Sequence, residues 1–152
     1  MKAYAQSWPL WVAALWWGSL TGVAFWVVPL LFMHLPSPAM AGGMAAKLFT
    51  AQTWVALVCG WLLLQASRGR ESGQFQGSDP ASKQALGLSH ACRAALVFIA
   101  GGMLLAALVE FAVAPRILAR DNIKLWHAVG TAMYVLQWVC AGLTLGKLVK
   151  AR

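Results

Sequence analysis

Long apolar stretches without formal charge alternate with short polar ones along this chain. Residues 3–46, 48–67 and 125–146 carry no Lys, Arg, Asp or Glu, and residues 94–115 carry one, Glu110. Roughly 20 apolar residues cross the ~30 Å hydrocarbon core as a helix. The apolar positions run on continuously instead of alternating, as barrel strands would. The pattern predicts an all-α polytopic membrane protein of one domain, residues 1–152. Four transmembrane helices, at about 8–33, 48–66, 94–114 and 126–146, form a bundle of two helical hairpins in parallel relation.

The segments between spans differ in character. Residues 67–89 are rich in Gly, Ser and Gln and read as a flexible linker joining the hairpins. The first loop carries Pro36-Ser37-Pro38, where Ser37 can cap and Pro38 can start a helix, so residues 39–47 read as a helical lead into the second span. A secretory signal is the competing reading of the first span, with Ala39-Met40-Ala41 as a cleavage site. Its apolar run is about twice the ~7–15 residues of a signal core and has a single basic lead residue, so it is read as a mature span. A faint repeat relates the halves: Phe25-x-Val27-x-Pro29 matches Phe111-x-Val113-x-Pro115, and Lys47-Leu48-Phe49 matches Lys124-Leu125-Trp126.

Composition supports a bilayer and adds an orientation. Charged residues are 11% of the chain, under half the usual share, too few to cover a soluble surface. Lys2, Arg68, Arg70, Lys83, Arg93, Lys147, Lys150 and Arg152 fall on one side of four spans; Lys47, Arg116, Arg120 and Lys124 fall on the other. The positive-inside rule places both termini in the cytoplasm, and the expected location is a bacterial inner membrane. Topology and anionic lipid account for the net charge of +8, so no nucleic-acid partner is implied. Phosphate-cradling loops, nucleophile elbows and HExxH motifs are lacking, so the chain does not read as a soluble-type enzyme.

Helical faces suggest what points inward. In lipid, small and polar residues mark the protein-facing side. In the fourth span His127, Gly130, Thr131, Tyr134, Trp138, Ala141 and Leu145 share one face; in the third, Cys92, Ala95, Gly102, Ala106, Ala107 and Glu110 align. Gly18-x-x-x-Gly22 and Gly142-x-x-x-Gly146 permit close helix packing, within the bundle first, or against a second copy or another membrane protein. Pro29 predicts a kink in the first span.

Glu110, the one formal charge well inside a span, can carry a proton or bind a cation there. With His127, Thr131 and Tyr134 it forms the candidate polar centre; pairing with Arg116, Arg120 or His127 is the structural alternative. His34, Glu110 and His127 fall towards the same leaflet and form a candidate divalent-metal set. His34 and His127 also form the one candidate bis-His pair for haem. No bound cofactor is the favoured reading. Cys59, Cys92 and Cys140 lie in no external loop and read as buried, inert thiols.

Leu15-Trp16-Trp17-Gly18, Val28-Pro29-Leu30-Leu31-Phe32, Ala45-Ala46-Lys47-Leu48-Phe49, Val113-Ala114-Pro115-Arg116-Ile117 and Trp126-His127, with Tyr134-Val135-Leu136-Gln137-Trp138, form an ordered set. Together they resemble the bacterial branch of the transmembrane-protein-205-like family, also called domain of unknown function 4149. The resemblance covers nearly the whole chain outside the linker. It implies a small four-helix membrane protein without an established activity. A eukaryotic relative's link to platinum-drug resistance hints at transport, and a more distant likeness is to copper-resistance and haem-dependent membrane proteins. The functional expectations are therefore binding or moving a small solute or ion, haem or metal redox chemistry, or a structural helper of another membrane protein.

Overall fold

The computed structural model describes residues 7–68, 80–119 and 122–151. Four helices in it are long and apolar enough to cross a membrane: Trp8–His34, Pro38–Arg68, Leu96–Leu118 and Ile123–Lys150, called spans one to four below. The described residues contain no strand. The spans pack as an antiparallel ring, each against its two neighbours in sequence and span four against span one. Tyr134 reaches Leu20, while Trp17 covers Gly142, so spans one and four run in opposite directions. Trp8 and Lys150 therefore lie at one end, called the termini end; Leu35 and Asn122 lie at the other, the distal end.

Local sequence explains the boundaries. Ser37 accepts the backbone N–H of Met40 at 3.3 Å, and Pro38 opens the helix, where its missing N–H costs nothing. Residues 39–47 are thus the first turns of span two, continuous with the rest. Asn122 adopts φ 37°, the left-handed conformation that its short polar side chain tolerates, and turns the chain into span four.

The second half of the expected linker is ordered. Pro80–Ala94 is a helix, joined to span three by a bend at Ala95, whose N–H is shared between the Ala91 and Cys92 carbonyls. Leu88, Ala91, Cys92 and Ala95 recur at helical spacing and are buried, so this connecting helix closes the termini end. Gly87 there approaches the Ala151 carbonyl, where an added Cβ would lie 3.0 Å away. Residues 69–79 of the expected linker fall outside the described residues.

The core lies towards the termini end. Ala13, Trp16, Leu20, Ala56, Leu63, Ile99, Ala106, Ala141 and Leu148 are all closed to solvent, with Trp16 the largest. Trp16 lies across Gly102: an added Cβ there would meet its ring at 2.7 and 2.8 Å. Span three presents the expected small-residue stripe inward, with Val97 and Leu104 outward. Span four is turned from its expected face. Its buried line is Gln137, Ala141, Thr144 and Leu148. At roughly 100° per residue this is a rotation of about 60° from the face centred on His127 and Trp138.

Both matching Phe-x-Val-x-Pro stretches contain a π-helical turn. Val28 N–H bonds to Val23 O and Ala114 N–H to Val109 O, five residues back in each case. Pro29 and Pro115 each follow two residues after the turn. The expected kink at Pro29 is realised this way: the ladder shifts before the proline that cannot donate to it, and the helix continues. Span three consequently reaches Leu118, so Glu110 sits eight residues from that end, about 12 Å at 1.5 Å per residue.

Candidate functional site

Cross-hairpin packing ends at the level of the π-turns. Beyond them Val28–His34 packs against span two and Ala114–Leu118 against span four, each within its own hairpin. Arg116 lies over the Trp126 ring at 5.3 Å, which fastens the second hairpin to itself. The two short distal helices contain no buried residue. The hairpins therefore make little contact with one another in the distal half, and we read the space between them as a cleft.

Polar bonds mark the floor of this cleft. The Thr50 hydroxyl of span two donates to Glu110 Oε1 of span three at 2.9 Å. The Tyr134 hydroxyl of span four donates to the Leu20 carbonyl of span one at 2.9 Å, one turn before the first π-turn. Phe49 and Tyr134 meet edge to face, with centroids 5.4 Å apart, and so join the two bonds across the bundle. Trp138 Nε1 donates to Thr21 Oγ1 at 2.9 Å, and Gln52 Nε2 to Ser19 Oγ at 3.0 Å. Measured interhelical hydrogen bonds in membranes average about 0.6 kcal/mol, so these ties fix register more than they add stability. Glu110, Thr50, Phe49 and Tyr134 are half-buried.

The sequence-predicted centre is gathered in part. Glu110 and Tyr134 stand on this floor. His127 and Thr131 do not: both are exposed, because the rotation of span four carries their face outward where no helix packs against it. Of the basic partners expected for Glu110, Arg116 lies over Trp126, His127 is exposed and Arg120 falls outside the described residues. The metal set is not assembled. Among the described residues no three His, Cys, Asp or Glu side chains form a group that could hold a metal ion. His34, bonded to its own helix through Leu30 O at 3.1 Å, His90 and His127 are all exposed, so none of them points into the bundle as an axial haem ligand would.

The glycine pairs also divide. Gly142 lies under the Trp17 indole, with an added Cβ 3.0 Å from Nε1, as expected for internal packing. Gly18, Gly22 and Gly146 have nothing within 4 Å of an added Cβ, so their faces do not pack within the bundle. Sequence reasoning missed Thr50. Its signal was a polar residue one turn into the apolar part of span two, aligned with His127 when the two Lys-Leu-aromatic stretches are superposed.

No curated protein and no solved structure matches this chain. One family does, over residues 11–125, from the first turn of span one into the start of span four and across every residue of the cleft floor except Tyr134 and Trp138. The chain belongs to this family, the domain of unknown function DUF4149.

Proposed function

We propose that this multi-pass membrane protein binds a small cation or polar solute in the distal cleft, with Glu110 as the counter-charge. The observation that carries this reading is a half-buried carboxylate about 12 Å from the helix end, held by a hydroxyl at the level beyond which the hairpins make little contact. An ionisable group at that depth is expensive, and a cation that approaches through the cleft offsets the cost. The excess of Lys and Arg at the termini end orients the cleft away from the cytoplasm, across a bacterial inner membrane.

Chemical access tests this reading. A water-soluble maleimide should modify the cysteine of Glu110→Cys in membranes within minutes. In the same sample Cys92, fully buried and with its thiol pushed up to about 11 by burial, should stay unmodified. Equal protection of both positions in folded protein would remove the open cleft and the proposal with it.

A second reading, association with another membrane helix, has the outward placement of Gly18 and Gly22 in its favour. Gly18→Leu with Gly22→Leu should leave the monomer's melting temperature unchanged and abolish any self-association seen by cross-linking. Unchanged cross-linking rejects that face.

A further inference from the structure

The chemistry of the cleft floor narrows its ligand. Glu110 supplies one formal charge, and Thr50 donates to one of its two oxygens, leaving the other for a ligand. The next groups along the floor are aromatic: Phe49, one residue before Thr50, and Tyr134 against it at 5.4 Å. The Tyr134 hydroxyl is already committed to Leu20 O. A divalent metal needs about six oxygen ligands, or a compact set of His, Cys and carboxylate groups. The floor has one carboxylate, and the described residues hold no such set. An ammonium or phosphonium centre has the opposite requirement. A fully substituted centre of this kind, such as a quaternary ammonium, keeps no tightly held water, is satisfied by one carboxylate and gains from aromatic faces. The distal helices on either side, Val28–His34 and Ala114–Leu118, are mostly apolar apart from His34 at one end and Arg116, which lies over Trp126.

We propose that the cleft takes a monovalent organic cation with an apolar body, its charge on Glu110 and its body against Phe49 and Tyr134. This rests on the cation-binding reading above and specifies the chemical class. Glu110 neutralises the cation, the Phe49–Tyr134 pair selects against hydrated ions, and Thr50 sets the carboxylate's orientation.

Equilibrium binding of tetraphenylphosphonium to the purified full chain in detergent provides the test. The wild type should bind it at least tenfold more tightly than tetraphenylmethane-type neutral analogues of the same shape. Glu110→Gln should lose at least tenfold, Phe49→Leu severalfold, and Glu110→Asp should retain most of the affinity. Millimolar Na⁺ or Mg²⁺ should not compete. Equal binding of the neutral analogue would mean apolar partition alone and overturns the proposal; it needs no variant, so it holds even if Glu110→Gln fails to fold. If Mg²⁺ or Na⁺ binds in a Glu110-dependent way and tetraphenylphosphonium does not, the organic class falls and the cation-binding cleft stands. If no probe depends on Glu110, both fall.

Discussion

Gly102→Leu should destabilise this bundle by about 3 kcal/mol. The Trp16 ring lies where the new side chain begins, with an added Cβ 2.7 Å from Cη2 and 2.8 Å from Cζ2. Trp16 is wholly buried, in one core cluster with Ala13, Leu20, Cys92 and Ile99, so a displaced indole would have to push into packed neighbours. Overpacking a close-packed core costs about 1–3 kcal/mol, and Leu against a fixed indole belongs at the upper end. Trp16→Ala alone should cost about 3–5 kcal/mol through the cavity it leaves. The double variant should be more stable than the two losses added together predict, because each change relieves the other. Thermal unfolding in detergent, followed by loss of the monodisperse species, measures all three. A wild-type melting curve for Gly102→Leu would show that spans one and three do not approach through these residues.

The second large effect concerns the connecting helix. Leu88→Asp should release Pro80–Ala94 from the termini end of the bundle. Leu88 is 2% exposed, so a carboxylate at that site would be taken out of water. Burying an unpaired carboxylate costs several kcal/mol, more than the roughly 1.5–3 kcal/mol gained by docking a leucine, so the helix leaves instead. Two measurements follow the release. Amide exchange over residues 80–94 should rise, and Cys92, which packs beside Leu88, should become open to maleimide at least tenfold faster. Conversely, Leu88→Met conserves volume and should leave both readings near the wild type.

How much of this was legible before any coordinates differs from element to element. The spans follow from charge spacing, since lipid excludes formal charge over a length set by the bilayer. Span three's inward face follows from its small residues, because without a hydrophobic contrast against lipid only close approach distinguishes the two sides. Span four defeated the same logic for a physical reason. Its polar residues His127 and Thr131 lie where the hairpins part, so nothing packs there to make their face an inward one. Nearer the termini end, Gln137, Ala141, Thr144 and Leu148 meet the neighbouring helices and set the rotation. The connecting helix was hidden by composition: Gly, Ser and Gln suggested a linker, although Leu88, Ala91, Cys92 and Ala95 already carried helical spacing. Glu110 was identifiable as a lone charge in an apolar run. Its partner Thr50 was not, because a single threonine in a membrane helix is ordinarily satisfied by its own backbone, as Thr144 is by Cys140 O.

The paired π-turns carry a consequence for insertions and deletions. A bond from residue i to i+5 encloses one residue more than the α-helical bond does. Loss of one residue within Val23–Val27 or Val109–Val113 would let the helix close as a plain α-helix, with everything on the termini side undisturbed. The distal segment would keep nearly the same rotation about its axis, because the wider turn is what took up the additional residue. Single-residue gaps at these two places are therefore the length changes this fold absorbs most cheaply. Loss of Val109 or of Glu110 would also take the carboxylate away from its threonine, whereas loss of a residue within 111–113 would not, so the position of the gap in that one helical turn decides whether a cleft keeps a charge at its floor.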